Sequence, residues 1–120
     1  MADSSIFGDR EMAFLTELVR QKVEFMIVGL SAATLQGVPV ATQDVDLWFA
    51  RPGGQRMLAA VRAVGGIYVA PTAFTPPRLG GEAVKLYDIV TGMHGLKSFD
   101  AEYRRAKTIA LGSLRLKVLP

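Results

Sequence analysis

Apolar positions first recur along this chain at helical spacing. Met12, Leu15, Leu18 and Val19 form one stripe within residues 9–22, with Asp9 placed to cap the start, which predicts an amphipathic helix. Residues 23–28 (VEFMIV) are short, apolar and β-prone, and predict a strand stopped by Gly29. Residues 31–36 (SAATLQ) fit a short helix closed by Gly37, with Pro39 beyond it. A second strand is expected over 44–50 (DVDLWFA), followed by the breakers Arg51, Pro52, Gly53 and Gly54. Met57, Leu58, Val61 and Val64 then mark one side of a helix over 53–64, with Gly65 and Gly66 where a C-terminal cap belongs. Residues 67–70 predict a short strand, 71–81 (PTAFTPPRLGG) a loop rich in breakers, and 83–90 (AVKLYDIV) a third substantial strand. Ser98 is placed to cap a short helix over 99–106. Alternation on both sides of Gly112 and Ser113 predicts a final hairpin. Strands and helices interleave, yet a hairpin cannot be all-parallel. The expected fold class is therefore α/β (α+β), a mixed β-sheet with flanking helices.

Composition narrows this picture. A chain of 120 residues, 50% of them hydrophobic, suffices for one domain around a single core. The absence of cysteine excludes a disulfide framework, a thiolate zinc site and a thiol nucleophile. No apolar run approaches the roughly 20 residues that span a bilayer, and the first residues lack a signal-peptide pattern. The expected setting is cytoplasmic, with no membrane partner. Fourteen Lys and Arg against eleven Asp and Glu give a net charge of +3, with basic residues scattered apart from a cluster at Arg104, Arg105 and Lys107. That distribution reads as a solvated surface rather than a nucleic-acid-binding face.

Candidate chemistry concentrates in residues 25–49 (FMIVGLSAATLQGVPVATQDVDLWF). Asp44 and Asp46 are two apart on a predicted strand, so they project to one side. Two carboxylates held that close repel unless a cation lies between them. Hard oxygen ligands without neighbouring Cys or His suit magnesium or manganese. The start of the helix after Gly29, with the hydroxyl of Ser31, offers unpaired backbone N–H groups of the kind that receive phosphate. Together these features fit metal-assisted nucleotidyl transfer, in which two ions roughly 3.5–4 Å apart serve the attacking hydroxyl and the phosphates.

The segment GLSAATLQGVPVATQDVDLWF resembles the signature of the nucleotidyltransferase fold shared by DNA polymerase beta, aminoglycoside nucleotidyltransferases and minimal nucleotidyltransferases. It is most similar to small bacterial members, including toxins of abortive-infection toxin–antitoxin pairs. The resemblance implies that Asp44 and Asp46 bind Mg2+ (or Mn2+). Gly29 would stand for the glycine turn, with Ser31 and Thr42 beside the nucleotide and Gly37 ending the short helix. The segment DIVTGMHGLKSF implies a third, metal-linked carboxylate at Asp88, assisting the incoming hydroxyl. The implied reaction moves an NMP from an NTP to a hydroxyl acceptor on RNA, protein or a small molecule. Two departures stand out: Leu30 takes the place of the second glycine and Val40 that of an arginine. They motivate an alternative, a catalytically degenerate nucleotide-, metal- or partner-binding protein, one half of a toxin–antitoxin pair. An antitoxin-like partner or a homo-oligomer is the corresponding assembly. Relatives continue into further helices past the strand near residues 118–119, so a single domain over 1–120 lacking those helices is expected.

Secondary candidates have ordinary structural readings beside functional ones. His94 lies in a glycine-flanked loop, and Arg78 in the breaker-rich loop is either a triphosphate clamp or a solvated charge. Lys85 is expected to face away from Asp88 by strand parity. Trp48 shares the parity of the aspartates, and either lines a base pocket or is a buried strand aromatic. Arg104, Arg105 and Lys107 suit the C-terminal end of a helix.

Overall fold

The computed structural model describes residues 9–29, 45–91 and 98–119. The expected helix at 31–36 and the expectations on Leu30, Ser31, Gly37, Val40, Thr42, Asp44 and His94 lie outside the described residues.

Helix α1 (Asp9–Arg20) buries Phe14, Leu15 and Leu18 completely, whereas Val19 is 37% exposed, so the apolar stripe is centred one step earlier than its sequence spacing suggests. The helix ends in a Schellman arrangement: Val23 N–H donates to the Leu18 carbonyl and Lys22 N–H to that of Val19, both at 3.0 Å. Strand β1 (Phe25–Val28) is buried throughout, and β2 (Val45–Phe49) nearly so. Helix α2 (Gln55–Ala63) buries Met57, Ala60 and Val61. It closes on Gly65 and Gly66 as expected, with Gly65 at φ 76° and Gly66 N–H donating to the Val61 carbonyl. After β3 (Ile67–Val69) and β4 (Arg78–Gly80), a 3-10 turn over Glu82–Val84 leads into β5 (Tyr87–Val90). Helix α3 (Phe99–Arg105) starts at Ser98, whose hydroxyl accepts from Ala101 N–H. The expected hairpin, β6 (Lys107–Leu111) and β7 (Leu114–Val118), closes the described chain.

Five strands form one mixed sheet in the order β5-β2-β1-β7-β6. The pairs β2–β5 and β1–β7 are parallel, and β1–β2 and β6–β7 antiparallel. The mixed sheet with helices on it matches the expected class.

Two expectations need correction. The loop 71–81 contains a strand, because Arg78–Gly80 pairs antiparallel with Ile67–Val69 in a separate two-stranded ribbon. Three residues between prolines and glycines are too few to show a period. The strand expected over 83–90 is only four residues long, since 82–84 turns instead. Val84 and Tyr87 both enter the main core. Their separation of three fits a turn and breaks strand parity.

Strand alternation gives the sheet two unlike faces. Phe25, Ile27, Val45, Leu47, Phe49, Tyr87 and Ile89 face α1 and α2 in the main core. Each such side chain, fully buried, stabilises the fold by roughly 1.5–3 kcal/mol. Met26, Val28 and Trp48 form a smaller cluster on the other face, covered by Val90, Phe99, Tyr103, Ala106 and Leu119. Helix α3 therefore shields part of the second face, and that same face carries the aspartates.

Candidate active site

Strand pairing brings two of the three candidate carboxylates together. Asp46 on β2 and Asp88 on β5 are direct partners in the parallel register, followed by Leu47 with Ile89 and Trp48 with Val90. Partners in register share a face, and neighbouring strands lie about 4.8 Å apart. On the other side of β2, Val28 is the antiparallel partner of Asp46. One row across the sheet thus reads Val28, Asp46, Asp88, and the next Met26, Trp48, Val90. The first row carries the charges and the second is apolar. Asp46 is half-buried and Asp88 exposed, so the pair sits where the covered face opens to solvent.

Gly29 abuts Asp46, and two independent observations call for glycine there. Its φ of 72° lies in the left-handed region, and a Cβ built there would stand 2.8 Å from Asp46 Oδ2. A side chain at residue 29 would collide with the carboxylate. The turn leaving β1 and the first aspartate of β2's charged row are therefore packed as one unit.

Two carboxylates at this spacing form a hard-oxygen donor pair suited to a divalent cation such as Mg2+ or Mn2+. Among the described residues no group of three or more His, Cys, Asp or Glu converges. The third candidate, Asp44, is outside them, immediately before Val45 at the start of β2.

The other candidates fall into place. Trp48 is 5% exposed, with its ring edge-on to Phe99 at 5.5 Å and 88°, so the buried-aromatic reading holds. Phe99 stacks in turn on Tyr103 at 5.1 Å, and the Lys117 ammonium lies 5.7 Å from the Tyr103 ring centroid. Burial pushes the Tyr103 hydroxyl above its ordinary pKa, and the Glu24 charge adds to the shift. Lys85 follows the 3-10 turn rather than sitting in a strand, so strand parity does not govern it; it pairs with Glu82 at 3.0 Å, both side chains exposed. Arg78 is exposed on β4. Arg104 and Arg105 lie in the last turn of α3, where Arg105 Nε stands 3.4 Å from the buried Glu102 carboxylate. Lys107 belongs to β6 instead.

A cavity of about 410 Å³ opens elsewhere, between the end of α1, the segment after β2 and the start of α2. It lies at the Phe25–Phe49 end of the antiparallel pair, whereas the aspartates lie at the Val28–Asp46 end. No sequence motif pointed to it, because its lining comes from two segments well apart in the chain, 22–24 and 50–57. No helix among the described residues is long and apolar enough to cross a membrane.

The mixed sheet and its flanking helices are consistent with a nucleotidyltransferase-like fold. The comparison that shows it is with the solved structure of ANT(2″)-Ia, an aminoglycoside nucleotidyltransferase, in complex with adenylyl-2″-tobramycin. The TM-score is 0.57 at 17% sequence identity. The match covers 91% of this chain and 66% of that one, so the chain spans slightly less than two thirds of its neighbour's length. No family model matches the chain, and no curated protein does.

Proposed function

We propose that this protein is a divalent-metal-dependent nucleotidyltransferase that moves an NMP from an NTP to a hydroxyl acceptor. The observation that carries the reading is the register pairing of Asp46 with Asp88 on the sheet face that Gly29 borders. The likeness of the fold to a nucleotidyltransferase supports it.

In this reading Asp46 and Asp88, with Asp44, hold Mg2+ (or Mn2+) through carboxylate oxygens. The bound ion would supply charge neutralisation on the phosphates and a lowered pKa for the attacking hydroxyl. Asp88, the more exposed carboxylate, accepts the proton of that hydroxyl. The acceptor oxygen forms a bond to the α-phosphorus, the bond to the bridging oxygen breaks, and pyrophosphate leaves. Gly29, Ser31 and Thr42 are the residues assigned in this reading to the nucleotide. Gly29 has no side chain to keep a phosphate from the backbone. Acceptors to be tried are RNA ends, protein side chains and small-molecule hydroxyls.

The test incubates the protein with each α-labelled NTP, Mg2+ or Mn2+, and total RNA, cell extract or small polyols. Label transfer is expected, reduced about 100-fold or more in Asp46→Asn and in Asp88→Asn. Metal-dependent NTP binding without transfer to any acceptor would instead establish the degenerate binding protein, for which an antitoxin-like partner becomes the next search. Unchanged metal and nucleotide binding in both variants would sink the site itself.

A further inference from the structure

The cavity at the far end of the sheet has its own electrostatic character. Its described lining includes three cationic side chains, Lys22, Arg51 and Arg56, against one carboxylate, Glu24. Lys22 comes from the turn after α1, whereas Arg51 and Arg56 come from one continuous stretch, the turn after β2 and the first turn of α2. Nothing in local sequence brings Lys22 to the two arginines. Three cationic residues against one carboxylate give this concave space a net positive lining, which a bound anion would neutralise. Arg56 adds to that positive character, because the first turn of α2 contains no acidic residue and the helix dipole is positive there. Lys22 holds a left-handed backbone, φ 59°, at a position after a helix where glycine is the common choice.

We propose that this cavity binds a compact, multiply charged phosphate compound. Guanidinium groups match phosphate oxygens with paired, charge-assisted hydrogen bonds, and Arg51 and Arg56 supply two of them beside the Lys22 ammonium. At about 410 Å³ the space falls within the size range of small-ligand sites. Its described lining has no aromatic side chain. It therefore offers no platform on which the bases of a single-stranded nucleic acid would stack, which favours a compact phosphate over a polynucleotide. The site is distinct from the carboxylate pair. Phe49, at the cavity end of β2, is three residues from Asp46, about 10 Å at the rise of a strand.

The experiment is an amide-resolved NMR titration of the full chain with inorganic pyrophosphate, with all divalent cations chelated. Saturating shifts are expected at the Lys22, Gln55 and Arg56 amides. Affinity is expected to fall at least threefold in Lys22→Gly and at least tenfold in the Arg51→Ser, Arg56→Ser double variant. Asp46→Asn should bind pyrophosphate as the parent does, which separates this site from the proposed active site. Lys22→Gly also relieves the left-handed lysine, so weaker binding with an unchanged or raised unfolding midpoint shows lost charge rather than lost fold. Shifts that never saturate, or equal affinity in all variants, overturn the proposal. A single-stranded oligonucleotide that moves the same amides at lower concentration than pyrophosphate overturns it in favour of a polynucleotide.

Discussion

Replacing Gly29 with alanine tests the packing of the carboxylate row directly. Two costs add at this position. An L-residue held in the left-handed region loses roughly 1–2 kcal/mol. The new methyl would also stand 2.8 Å from Asp46 Oδ2, closer than Cβ atoms are found to any neighbour, so the carboxylate must swing aside. Because that oxygen ends a side chain able to rotate, the cost is at the low end of overpacking, about 1 kcal/mol. The expected destabilisation is about 2–3 kcal/mol. Gly65 supplies the control, because it has a similar φ of 76° and nothing within 4 Å of a built Cβ. Gly65→Ala should therefore show the backbone cost alone, about 1–2 kcal/mol. The difference between the two variants measures the contact with the carboxylate. Introducing Asp46→Ala should remove that difference, as a double-mutant cycle would report. Urea unfolding followed by the fluorescence of Trp48, the single tryptophan, buried against Phe99, gives the free energies. Equal destabilisation by Gly29→Ala and Gly65→Ala, or a Gly29→Ala cost unaffected by Asp46→Ala, would refute the seating of the carboxylate against Gly29.

Three further outcomes are expected. A divalent cation at ten times its Kd should stabilise the parent by about 1.4 kcal/mol, seen as a rise in Tm of a few degrees that chelation reverses; Asp88→Asn should lose most of it. Tyr103 should ionise above the ordinary tyrosine pKa in an ultraviolet titration, and Tyr103→Phe should remove that high-pH component. Its folded pKa is raised above 10.0, so its contribution is complete below pH 10 and lost as pH climbs through the folded value. Tyr103→Phe should flatten that alkaline loss of stability. Lys22→Gly should leave stability unchanged or raise it by about 1 kcal/mol, read as a higher urea midpoint, because glycine adopts φ 59° without strain.

Much of the local structure was legible because its causes are local. The stripe containing Leu15 and Leu18, the Ser98 cap, the Gly65 turn and the hairpin at Gly112 and Ser113 each rest on residues within a few positions of one another. The mixed character of the sheet followed from one such hairpin. Legibility failed where tertiary contacts outweighed local pattern. Residues 83–90 alternate well enough to predict one long strand, yet Val84 and Tyr87 both gain burial in the same core, and the chain turns at 82–84 to allow it. Residues 78–80 became a strand only because 67–69 supplies a partner.

The same division separates the two candidate sites. The sequence by itself determined that Asp46 stands on an apolar strand after a glycine turn, and that Asp88 stands on another strand. It could not bring them side by side, since parallel pairing is set by burial of Leu47 and Ile89 in the core beneath them rather than by either aspartate. A slip of β5 by one residue against β2 would send Asp88 to the face opposite Asp46. Gly29's contact with Asp46 depends on a second register, that of β1 against β2, in which Val28 pairs with Asp46. The gathering of Lys22, Arg51 and Arg56 owes still less to sequence pattern. Lys22, after α1, and the stretch from Arg51 to Arg56, after β2, meet there because β1 and β2 pair antiparallel with Phe25 against Phe49, and only the folded sheet decides which turns share an end.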